Sequence, residues 1–163
     1  MSSSRFNAVF TCALIASSLP AVARAKETCT REISGSADGA LSSFDKRTRD
    51  ESVKANLWPE FQAAVAKYGA CDDGAVAEML AEVSIDMLRY RWEEAQTFAP
   101  LQNEGPFRSF VIRHVGATSL PEDLRAVRRN ATRRCGRRSK AFCREVARRC
   151  SDAITEINTV IGK

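Results

Sequence analysis

Between Trp58 and Ile161 the apolar residues fall three and four positions apart, and scarcely anywhere do they alternate with the period of two that a strand needs. The pattern is interrupted by glycine, at Gly69, Gly116 and Gly136, each just past an amphipathic stretch, where a left-handed C-terminal residue ends a helix. A chain patterned in this way is restricted to packing helix on helix. It predicts an all-α fold, a small bundle of about five or six helices ending in a basic helical hairpin.

The individual segments are readable. WPEFQAAVAKY, 58 to 68, has Pro59 in its first turn and places Trp58, Phe61, Val65 and Tyr68 on one face. Asp72 and Asp73 stand where an N-cap is wanted, and a long helix is expected from there to about Phe98. Its two apolar stripes, Val76, Leu80, Val83, Met87 and Tyr90 beside Ile85, Leu88 and Trp92, predict burial on two sides. Pro106 opens a short helix closed by Gly116. Ser119 and Glu122 form a capping-box pattern around Pro121, ahead of a face made by Leu124, Val127, Ala131 and Cys135. The last helix is expected over 138 to 161 on a line of Phe142, Val146, Cys150, Ala153 and Ile157. Residues 26 to 38 read as a flexible arm, tethered by Cys29 if that residue is bridged, before a single helical domain over 39 to 163 that opens with a weak helix expected over about 39 to 54.

The first residues predict a destination. Arg5 precedes the apolar run FNAVFTCALIA, and Ala23-Arg24-Ala25 supplies small residues at the offsets of a cleavage site, so residues 1 to 25 read as a secretory signal peptide cut before Lys26. The apolar run falls short of the roughly 20 residues a membrane span needs. VFTC, at 9 to 12, lacks the small residues that precede a lipid-modified cysteine. An exported protein, periplasmic or extracellular, is the expectation.

Export gives the cysteines a meaning. Cys29, Cys71, Cys135, Cys143 and Cys150 lie beyond the cleavage site and read as disulfide formers, with one left over. Cys143 and Cys150 are about 10 Å apart along one helix and do not reach each other. Cys135 is placed to reach Cys143 across the Gly136 turn. Cys71 would then reach Cys150 and leave Cys29 free or linking outward, while a second set pairs Cys29 with one of the C-terminal cysteines. With no C-x-x-C and one distant histidine, His114, neither a metal nor any other cofactor is indicated.

Charge is distributed unevenly. Without Arg5 and Arg24 the chain has 23 basic and 20 acidic residues, a net of +3, whereas residues 121 to 150 hold eleven basic residues against three acids, a net of +8. The remainder therefore carries −5. Arginine outnumbers lysine ten to one in that segment, which suits bidentate pairing with carboxylates or phosphates. The favoured reading is an exported binding or inhibitor-type protein that recognises an acidic protein surface through Arg125, Arg128, Arg129, Arg133, Arg134, Arg137 and Arg138. The alternative is a binder of an anionic envelope lipid or polymer.

Nucleic acid is disfavoured, because the one aromatic of the stretch, Phe142, belongs to the apolar line and the chain is expected to leave the cytosol. A third reading, a hydrolase, would have to use His114. No P-loop, dinucleotide fingerprint or zinc-protease motif is present. The competing account of the arginines is a solvated face neutralised by Glu78, Glu82, Asp86, Glu93 and Glu94.

Overall fold

The computed structural model describes residues 29–116 and 119–161. The expected signal peptide lies outside them. Eight helices follow one another: α1 (Arg31–Arg49), α2 (Trp58–Tyr68), α3 (Gly74–Tyr90), α4 (Trp92–Thr97), α5 (Ala99–Gln102), α6 (Pro106–Arg113), α7 (Pro121–Arg133) and α8 (Lys140–Ile161). Short 3₁₀ turns at Gly69–Cys71 and Arg137–Ser139 lead out of α2 and into α8. The described residues contain no strand, as the apolar spacing predicts.

α3 is the central element. Nine of its residues are buried, among them Val76, Leu80, Val83, Ile85, Met87 and Leu88, because its two apolar stripes face two neighbours at once. α1 packs on one side, α7 on the other, and α8 packs along α7. One continuous core joins them, from Ala37 on α1 to Ile154 on α8. At one end an aromatic cluster of Phe44, Trp58, Phe61, Phe98 and Phe107 fills the space under α2 and α6, with ring centroids 5.8–6.4 Å apart. At the other, Trp92 stacks on Phe142.

The structure corrects the N-terminal reading. The segment expected to be a flexible arm over 26–38 is helical from Arg31 onward. Thr30 caps that helix, its hydroxyl accepting from the Ile33 amide at 3.2 Å, and Ala37, Leu41, Phe44 and Thr48 bury one face. Burial outweighs the low helix propensity of Gly35 and Gly39.

The long helix expected to about Phe98 breaks at Arg91, where φ −118° and ψ 35° leave the helical region. The break has a physical cause. Arg91 is 7 % exposed and donates from Nε to the Thr48 carbonyl, from Nη1 to Val53, and from Nη2 to Arg47 and Asp50, at 2.7–3.0 Å. One guanidinium thus satisfies carbonyls that α1 leaves open at its C-terminus, at Arg47, Thr48 and the cap Asp50, and ties the following loop at Val53. α4 and the single turn α5 arise from this interruption, and they raise the helix number above five or six.

Two capping expectations fail as well. α7 begins after Leu120 without a side-chain cap, and the Ser119 hydroxyl is buried with no partner among the described residues, so the capping box does not form. Of the three glycines, Gly69 is right-handed helical and continues into the 3₁₀ turn, and Gly136 is extended. Gly116 has φ +131°, and a Cβ there would lie 2.8 Å from the Ala153 Cβ of α8, so both conformation and space require glycine.

Candidate functional site

α7 and α8 form the expected hairpin. Leu124, Val127 and Ala131 on α7, and Phe142, Cys143, Val146 and Cys150 on α8, turn into the core. The helical period therefore directs the intervening arginines outward. Arg125, Arg128, Arg129, Arg133, Arg134, Arg137 and Arg138 are all exposed, and so are Arg144 and Arg148. Arg125, Arg129 and Arg133 follow one another on the outer side of α7 at about 6 Å intervals.

The hairpin tip is held at several points. The Cys135–Cys143 disulfide forms as expected, with Cα atoms 6.1 Å apart. The Trp92 indole donates to the Arg134 carbonyl at 3.1 Å, and Ser139 Oγ donates to the Gln96 carbonyl at 3.0 Å. The Gly136 amide donates to Gln96 Oε1, an approach that a Cβ at position 136 would crowd at 3.1 Å. Arg137 and Arg138 therefore stand on a turn fastened to α4 rather than on a free loop.

The acids expected to neutralise this face are largely engaged elsewhere. Glu82 and Asp86 meet Arg49 of α1, and Glu94 lies 4.0 Å from Arg91. Only Glu93 reaches the hairpin, where it pairs with Arg134 at 2.6 Å. Glu145, the single acid within 128–150, is drawn inward by buried Arg108, whose Nη2 donates to it at 2.5 Å. Among the described residues no carboxylate lies within 4.0 Å of Arg125, Arg128, Arg129, Arg133, Arg137 or Arg138. Arg128 has one weak partner, Ser151 Oγ at 3.5 Å, and Arg148 pairs with Asp152 on its own helix.

The second disulfide corrects the cysteine reading. Cys29 bonds to Cys71, and Cys150 is the free cysteine among the described residues. The N-cap at Thr30 starts α1 against the 3₁₀ turn, which brings Cys29 to Cys71, while α8 rotates Cys150 fully into the core. Burial pushes the Cys150 thiol up to about 12, with Arg128 acting weakly against it, so it is neither a nucleophile nor an outward link.

His114 is buried and both ring nitrogens are engaged, Nδ1 with the Phe110 carbonyl at 2.8 Å and Nε2 with Asp72 Oδ1 at 2.7 Å. Asp72 or Asp73 was expected to cap α3, and Asp73 holds the N-cap position, though without a side-chain hydrogen bond, which leaves Asp72 for another role. Asp72 binds His114 and Arg113, and these bonds outweigh its partial burial to hold its carboxyl below the ordinary range. No hydroxyl or thiol among the described residues is hydrogen-bonded to His114, which leaves no nucleophile–base pair there.

Among the described residues no group of three or more histidine, cysteine or acidic side chains is arranged to hold a metal, and no helix is long and apolar enough to cross a membrane. Sequence reasoning missed three arginines with defined partners: Arg91, Arg108 and Arg49. Arg91 and Arg108 are buried although their neighbours in sequence give no sign of it, whereas Arg49 stays half-exposed and is set apart only by the carboxylates it meets. No family model, no curated protein and no solved structure matches the chain.

Proposed function

We propose that the protein is an exported binding or inhibitor-type module that holds an acidic protein surface with the α7–α8 hairpin. One observation carries this reading: six exposed arginines on one hairpin have no carboxylate partner among the described residues, while Glu82, Asp86, Glu94 and Glu145 are committed to Arg49, Arg91 and Arg108. A face left unneutralised by its own fold attracts negative charge from outside. Its fixed tip reduces the entropy lost when a partner docks. Arg125, Arg128, Arg129 and Arg133 would make the contacts along α7, with Arg134, Arg137 and Arg138 at the tip. The two disulfides agree with an oxidising compartment.

The test is a pull-down with the oxidised chain, followed by charge reversal. One protein is expected to bind in stoichiometric amount from the native envelope at moderate salt. Arg129→Glu with Arg133→Glu should weaken that complex by about 10–100-fold, mainly through faster dissociation. Undiminished binding by the double variant would overturn the reading. Capture of lipid or polysaccharide alone, released by salt, would replace it with recognition of an anionic envelope component.

A further inference from the structure

The seam between α1 and α3 concentrates more negative charge than it can neutralise. Arg49 of α1 faces three carboxylates: Asp45 at 3.0 Å one turn earlier, Glu82 at 2.7 Å on α3, and Asp86 on α3, which accepts from Arg49 Nε. Asp86 is buried, with 5 % of its side chain exposed. The Asp45 and Asp86 carboxyls both pair with the one Arg49 guanidinium, which draws them to the same point of the seam. Asp45 Oδ1 is also buried, and none of the described residues offers it a donor. Two ionised carboxylates in that position would repel, and a buried acceptor would go unsatisfied. A single proton between them removes both penalties.

We propose that Asp45 and Asp86 share one proton across the α1–α3 interface, making this seam a pH-responsive clasp that loosens when the proton leaves. Burial raises Asp86 to about 7 and raises Asp45 as well, with Arg49 opposing. The surrounding charges include Lys46 of α1, which lines the groove beside Asp45 and Glu82 without pairing with either aspartate. Glu78, Glu82 and Arg89 lie along α3, and Asp123 faces the same cleft of about 330 Å³ from α7, where Arg89 already holds it. Arg49 is thus the only cation paired with the two aspartates among the described residues.

The direction follows from proton linkage. From about pH 4 to about pH 7 the folded chain binds one proton more than the unfolded chain at this pair, so stability falls as pH rises through that window and levels off above it. α1 stays tethered meanwhile by Cys29–Cys71 at its start and by Arg91 at its end. Loosening is therefore confined to the middle of the seam.

The deciding experiment compares thermal unfolding of the full-length chain and of Asp86→Asn across about pH 5 to 8. The amide keeps the donor toward Asp45 and the acceptor toward Arg49 but carries no titrating proton. The native chain is expected to lose thermal stability with rising pH, while the variant loses less and melts roughly 3–6 °C higher at the alkaline end. His114 is unchanged in both proteins, so the difference between the two profiles belongs to the aspartate pair. Parallel profiles would overturn the proposal. If the variant does not fold, the Asp86 carboxyl carbon resonance of the native chain decides: a midpoint near neutrality supports the shared proton, and one in the ordinary carboxylate range, about 4, overturns it.

Discussion

Arg91 shows how much one side chain can hold in a fold of this size. Its guanidinium serves three carbonyls at the C-terminal end of α1, those of Arg47, Thr48 and Asp50, and that of Val53 in the loop beyond, and its own carbonyl receives the Trp58 indole at 3.0 Å. Methionine of similar length would leave those carbonyls open in a largely dry site. Arg91→Met is therefore expected to destabilise the chain by about 3–5 kcal/mol, read from the denaturation midpoint, and Arg91→Lys to recover only part of that because an ammonium lacks the planar fork. Nothing in RYRWEE marks Arg91 as buried while Arg89 beside it remains half-exposed. At the scale of residues, sequence reading identified apolar positions well and polar partners poorly. Apolar burial follows from a period, whereas the partner of a charged group depends on where a distant segment ends. His114 illustrates both sides, since its apolar face predicted burial and only the fold supplied Asp72.

Among the elements, α1 departs furthest from expectation. Its first half read as an arm and only its second half as a weak helix, because the stripe of Ile33, Ala37, Leu41 and Phe44 is interrupted by small residues. The cap, the disulfide and the packing against α3 are what make it helical, and each is a non-local or geometric fact. The two glycines remain exposed weaknesses. A Cβ on Gly35 or Gly39 would meet nothing within 4 Å, so Gly35→Ala and Gly39→Ala should each stabilise the chain by about 0.5–1 kcal/mol. Equal or lower midpoints would mean that α1 contributes little to cooperative unfolding. α7 and α8 lie at the other extreme. Their strong amphipathic spacing put both helices and the Cys135–Cys143 closure within reach of the sequence, because the interactions that define them are local.

For the molecule as a whole, the two disulfides do different work. Cys29–Cys71 closes a loop with a sequence separation of 42, and Cys135–Cys143 one with a separation of 8. In the chain-entropy account these correspond to about 4 and about 2.5 kcal/mol. Paired alanine substitution at Cys29 and Cys71 is therefore expected to lower the midpoint more than substitution at Cys135 and Cys143. The second pair should matter more for any ligand of the tip, since it fixes Arg137 and Arg138. A larger stability loss from the shorter loop would show that the tip is part of the cooperative core. The charge asymmetry was legible from the start. Its lack of internal compensation was not, because that depends on which arginines the acids of α3 and α8 actually meet.

The spacing of Cys143 and Cys150 along α8 also has a kinetic consequence. An uncoiled chain entering an oxidant brings these two thiols together more readily than Cys29 and Cys71, since the intervening segment is far shorter. Once α8 winds, the same two sulfurs stand about two turns apart and the wrong bond becomes geometrically forbidden. Helices form in microseconds and thiol oxidation takes seconds or longer. Winding of α8 therefore opposes the Cys143–Cys150 bond, and in the folded chain the burial of Cys150 keeps its thiol away from any oxidant.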